Sequence, residues 1–321
     1  MGLEAIFNQV MILGIVGIIG VIAAKLKIIS TQANESLAGI IINITTPFMI
    51  ISSLSNMEFT REIVNNSIWV LVFSYLAIFV LMGLGYFSRK ILGLEDSLGK
   101  VHLLHTTYGN IVFLGFPVLN ELFPGGEALL YAAIYQVASN TLMWTMAIYI
   151  LGKDKNKNIK YNLRKFANPN TIALFIGLIL MTFQIKLPEV LNKSLRGLGN
   201  TTIYLAMIYI GALLANIKLS QTIKQLHIYF LTFNKLIFGP FIVLLIIHYF
   251  VKFTGINFGQ IALSTVVLEA AMPCMVIIII LVKKYGGNEK AAIENLFITT
   301  ILSLLTLPLI YYLITLVTKY L

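Results

Sequence analysis

Charge is what this chain most lacks. Of 321 residues only 11% are Asp, Glu, Lys or Arg, while 58% are hydrophobic. A soluble domain carries roughly 25% charged residues, so the composition points to an integral membrane protein. Cysteine is scarcer still. The lone Cys274 excludes an internal disulfide framework and a cysteine-rich metal centre. G-x-S-x-G, P-loop, H-E-x-x-H and dinucleotide fingerprints are all missing, which leaves enzyme chemistry without a handle, so no enzyme activity, cofactor or resident metal is expected. His102 and His105 have the i, i+3 spacing of a metal pair, but no third ligand accompanies them. They read as interfacial histidines near a helix end. The leading MGLEAIFNQ contains no Lys or Arg, and the apolar run it opens is too long for a signal h-region, so it reads as a retained span. Position 6 is Ile rather than the Ser or Thr of a myristoylation sequence.

Long apolar runs are what the chain has instead. Crossing a bilayer takes roughly 20 apolar residues, and ten stretches reach or approach that length: 5–24, 36–55, 67–87, 101–123, 128–151, 170–185, 198–217, 228–250, 260–282 and 291–317. The sixth is short. Assigning loops alternately, the linkers after the odd-numbered stretches hold 16 Lys and Arg and the opposite face holds 6, which makes the first set cytoplasmic. Both termini then lie outside, in a multi-pass protein of the cell membrane. The net charge of +10 therefore reports topology, not nucleic acid. Its densest part, KDKNKNIKYNLRK at 153–165, reads as a cytoplasmic anchor.

That basic segment suggests a first five-span repeat at 1–151, a linker at 152–168 and a second repeat at 169–321. A unit with an odd number of spans is inverted when repeated, as in many transporters. Short echoes support this: SNMEFT (55–60) with ANIKLS (215–220), Ala132 with Ala291, Thr45 and Thr46 with Thr201 and Thr202, and Pro117 with Pro273. Their offsets run from 156 to 160 residues, the two prolines standing 156 apart. We expect an all-α fold of ten transmembrane helices in two inverted five-helix repeats, with the fourth and ninth helices broken.

Gly115 and Pro117 should interrupt the fourth helix, since proline removes a donor and crowds the carbonyl four residues back. Backbone freed at membrane depth is tolerated only inside protein or along a wet cavity. An ordinary kink explains either proline alone; two kinks at matching places suggest a binding site. Gly109, Asn110, Gly115 and Pro117 with Ala271 and Pro273 are the resulting substrate-binding candidates, and Asn43, Gln136 and Asn140 add polar side chains from other spans. Glu269 lies inside the ninth span, where a carboxylate is costly unless it has a function or a partner. It is the candidate ion-coupling residue, for H+ or Na+. Lys235 either snorkels to the interface or pairs with a carboxylate such as Glu269. Gly14, Gly17 and Gly20 form a small-residue face for close helix packing, contacts between protomers included.

GNIVFLGFPVL (109–119), EAAMPCMV (269–276) and NITTPF (43–48) together resemble the auxin efflux carrier family, prokaryotic type, over the full ten-span length. Members are similar in fold to bile acid:sodium symporters. The resemblance implies a core of crossed, broken helices beside a supporting panel, and often a homodimer. It places Asn110 at the crossover asparagine, with Pro117 and Pro273 as the crossing prolines. Glu269 departs from the Gln of plant members, which favours cation coupling. The implied activity is elevator-like secondary transport of a small organic anion, a mono- or dicarboxylate such as malate, malonate or an auxin-like weak acid. Two alternatives stand beside it: a sodium-coupled carrier of a larger amphipathic anion, and a membrane sensor that binds without transporting.

Overall fold

The computed structural model describes residues 3–152, 168–215, 225–285 and 287–320. The basic segment at 153–165 and most of ANIKLS lie outside the described residues. Among the described residues twelve helices follow in order: α1 (Leu3–Lys25), α2 (Thr31–Leu54), α3 (Arg61–Ile91), α4 (Asp96–Thr107), α5 (Ile111–Leu122), α6 (127–152), α7 (Pro169–Thr182), α8 (Glu189–Leu214), α9 (Leu226–Thr254), α10 (Gln260–Ala270), α11 (Val276–Tyr285) and α12 (Glu289–Tyr320). No strand occurs among the described residues. By length and composition α2, α3, α8, α9 and α12 can each cross a membrane, and α5, α7, α10 and part of α1 are shorter apolar helices.

The exterior is what apolar solvent requires. Exposed Met11, Ile12, Ile15, Ile18, Ile19 and Ile22 recur every three or four residues on α1, one helical face turned outward. Helix starts are set by local chemistry. Ser30, Thr60 and Asn168 each accept a hydrogen bond from the backbone N–H three residues on, which satisfies one of the four donors a helix start leaves open.

Three prolines are absorbed in one way. The residue before Pro47, Pro117 and Pro240 bonds five residues back instead of four: Thr46 N–H to the Ile41 carbonyl, Phe116 to Ile111 and Gly239 to Asn234. A single widened turn moves the carbonyl away from the proline ring and lets the helix continue. The expected interruption at Gly115–Pro117 is therefore corrected: the chain runs helically through both residues. The break lies upstream, at Tyr108–Asn110, and its counterpart spans Ala271–Met275.

Packing sorts the helices into two groups. α8 lies along α1 and α2, and α7 packs on α2; α3, α4, α6, α9, α10, α11 and α12 pack among themselves, and α5 lies between the groups, against α6 and α10 on one side and α1 and α8 on the other. The glycine face of α1 is used inside the chain. A Cβ on Gly211 of α8 would strike the Gly17 carbonyl, and one on Gly20 would strike the backbone of Ile208, so these two backbones touch directly. Between the groups, Phe113 stacks on Tyr209 with ring centroids 4.6 Å apart.

Candidate functional site

The two breaks meet and satisfy one another. Asn110 N–H donates to the Pro273 carbonyl at 2.7 Å, and Met275 N–H donates to the Tyr108 carbonyl at 3.2 Å, which pairs Gly109 with Cys274 in one antiparallel bridge. Buried backbone groups released by a helix break must find such partners. The pair of bonds is two-fold related: 275 minus 110 and 273 minus 108 are both 165. Pro273 lies in its break whereas Pro117 lies inside α5, so the two prolines do not occupy matching places. Thr299 of α12 braces the second break by accepting from Cys274 N–H at 3.1 Å.

A cavity of about 110 Å³ opens beside this crossing. Its walls are Asn110, Ile111, Val112 and Phe113 at the start of α5, Met275, Val276 and Ile277 at the start of α11, and Gln136, Asn140, Met143 and Trp144 of α6, closed by Ile42, Asn168 and Asn170. Two helix N-termini therefore face one small space. Each presents N–H groups without intrahelical acceptors and about half a positive charge. Asn110 adds a carboxamide that is 2% exposed and whose Nδ2 has no acceptor. Donors without acceptors, gathered around a cavity, suit an anion.

Behind the crossing stand two buried charged side chains. Glu269, in the last turn of α10, is 0% exposed and lies against Gly115: a Cβ there would sit 2.6 Å from each carboxylate oxygen. A Cβ at this position would require the carboxylate to move. Lys235, in the widened turn of α9, is also 0% exposed, with Nζ 3.3 Å from where a Cβ on Gly109 would be. Neither side chain makes a hydrogen bond with another described residue. No grouping of three or more His, Cys, Asp or Glu suited to a metal occurs among the described residues.

A family model described as membrane transport protein, that of the auxin efflux carriers, matches residues 5–311. This chain belongs to that transport family. An uncharacterized transporter of Methanothermobacter thermautotrophicus is 25% identical over 297 residues, covering 91% of this chain and 93% of that one. Family and relative point to a multi-pass membrane transporter rather than an enzyme.

In this member of the family the sequence candidates divide. Asn110, Gln136 and Asn140 share the cavity wall. Gly109, Ala271 and Pro273 form the crossing itself, whereas Gly115 and Pro117 lie in α5 and Glu269 stands behind, outside the cavity lining. Asn43 is apart from all of them, exposed and donating to the Gly39 carbonyl at 2.8 Å. Trp144, Asn168 and Asn170 were not singled out by sequence. Trp144 carried a signal, since Gln136, Asn140 and Trp144 stand at i, i+4 and i+8, one face of a helix. His102 and His105, read from sequence as interfacial histidines near a helix end, are each 0% exposed, buried among neighbouring helices. Lys235 does not snorkel, because the crossing holds it in the interior.

Proposed function

We propose that this protein is a secondary transporter of a small organic anion, with ten membrane crossings in two inverted five-helix halves and both termini outside. The observation that carries the reading is the cavity in which two helix N-termini meet the Asn110 carboxamide. Its volume of about 110 Å³ is well below the roughly 300–1,000 Å³ of sites for drug-sized ligands, which favours a mono- or dicarboxylate over a larger amphipathic anion. Ile42, Asn168 and Asn170 come from the α1, α2, α7, α8 group, and the rest of the wall from the start of α5 and from the other group. Sliding one group along the other would carry the anion with the crossing, which is the elevator mode.

Glu269 is the coupling residue in this reading, because it is the carboxylate buried against the crossing. Counterflow of labelled malate or malonate in proteoliposomes tests the function. Exchange above empty liposomes is the expected outcome; binding without exchange would identify a sensor, and exchange confined to large amphipathic anions would favour the symporter-like alternative.

A further inference from the structure

Away from the crossing, a second cavity of about 310 Å³ lies in the seam between the two helix groups. α1 and α8 form one wall, α12 forms the other, and Leu114 of α5 joins them. The cavity follows one face of α1 from Leu13 to Lys25, a rise of about 18 Å at 1.5 Å per residue. That is a little over half of a hydrocarbon core about 30 Å thick, or the depth of one leaflet. Ile18 and Ile301 belong both to its lining and to the exposed exterior, so it opens sideways to the membrane.

The wall is shaped and apolar. A Cβ on Gly20 or Gly211 would strike backbone, but one on Gly14 would meet only the Leu304 methyl groups, at 3.7 and 3.8 Å, and one on Gly17 only the Met207 carbonyl, at 3.9 Å. Those are ordinary contact distances, so helix packing does not demand glycine at 14 or 17, and the effect of both is to widen the cavity. Thr300 and Ser303 bring hydroxyls to the lining, yet each donates to its own helix, at the Leu296 and Thr300 carbonyls. A buried water needs two to four polar partners, so this wall suits hydrocarbon instead. Charge enters at one end. Lys25, the last residue of α1, is the charged residue of the lining and forms no ion pair with another described residue. An apolar slot one leaflet deep, with an ammonium group at its basic-loop end, matches a lipid chain beneath an anionic headgroup. A helix from a second copy, about 10–12 Å across with its side chains, would need several times this volume.

We propose that this cavity binds one anionic phospholipid, with an acyl chain between α1, α8 and α12 and the phosphate at Lys25. The chain touches both helix groups at once and fills the seam between them. Bilayer hydrocarbon is as apolar as the slot, so the chain gains little simply by leaving the bilayer. Selection therefore rests on the shape left by Gly14 and Gly17 and on the Lys25 ammonium, which recognises the charge of the headgroup as a point charge.

Native mass spectrometry of the detergent-purified full chain tests the site, with titration of phosphatidylglycerol, of phosphatidylcholine with the same chains, and of oleate. The protein should retain one phosphatidylglycerol in preference to phosphatidylcholine. Lys25→Ala should weaken that retention about fivefold, the worth of one lysine near an anionic surface, and Gly14→Phe should abolish it by filling the slot. Gly83→Phe, on α3 outside the lining and with nothing within 4 Å of its Cβ, should bind as the unmodified protein does. Lys25 is exposed at a helix end, so its variant carries the test if Gly14→Phe fails to fold. Equal retention of the two phospholipids, retention of oleate without phosphatidylglycerol, full binding in Lys25→Ala or Gly14→Phe, or an equal loss in Gly83→Phe overturns the site. No transport is measured, so failure here leaves the anion reading standing, and failed counterflow leaves the lipid site standing.

Discussion

Asn110→Ala should weaken anion binding without weakening the fold, and the two effects should have opposite signs. The side chain makes no capping bond to α5, and its Nδ2 has no acceptor, so truncation breaks no native contact of that amide. Its backbone, at φ −81 and ψ 69, suits alanine equally well, and the bond from Asn110 N–H to Pro273 survives. Leaving a buried donor unpaired costs about 1–3 kcal/mol. Removing it should therefore leave stability between unchanged and that much higher. An anion bound in the cavity would lose one hydrogen bond to a charged acceptor, worth about 1.5–3 kcal/mol, or roughly a 10- to 150-fold rise in Kd. Thermal unfolding in detergent, with and without malonate or malate, reads both effects together with counterflow. A variant that melts lower than the unmodified protein and keeps its ligand shift would refute the reasoning, because Asn110 would then be a structural amide.

Other substitutions probe the parts behind the cavity. Glu269→Gln should abolish dependence of uptake on a pH or sodium gradient while counterflow at equal pH continues; a retained gradient dependence would remove Glu269 from coupling. Lys235→Met tests whether Lys235 and Glu269 act as a pair: an interacting buried pair would lose about 3–5 kcal/mol, most of it recovered in Lys235→Met with Glu269→Gln. Additive losses in that double-variant cycle would show that the two charges do not interact. Gly211→Ala drives a methyl group into the Gly17 carbonyl, backbone against backbone, and should lower stability by about 3 kcal/mol, the top of the usual overpacking range. A melting point equal to that of the unmodified protein would show that α1 and α8 separate freely.

The family and the kind of solvent around the protein were legible in the residues, because both depend on local content. Long apolar runs report a bilayer wherever they pack, and the paired motifs around Asn110 and Pro273 lie within single segments. Glu269 was legible too, since a carboxylate inside an apolar run is costly whatever surrounds it. Proline misled the placement of the break. Its effect on the next turn depends on whether the helix can widen, and at Pro47, Pro117 and Pro240 it does.

By itself, the sequence determined that the protein is a helical membrane transporter with helix breaks in the segments that hold Asn110 and Pro273, since helix and span signals act over a few residues. Only the tertiary structure decided where the breaks fall. They sit at Tyr108–Asn110 and Ala271–Met275, where two backbones 165 residues apart exchange hydrogen bonds, and no local pattern encodes a bond between them. Packing of the whole chain likewise decided the cavity wall from Trp144 to Asn170 and the burial of His102, His105 and Lys235. Each of those depends on which helix faces which, a property of the packed chain and not of any one segment.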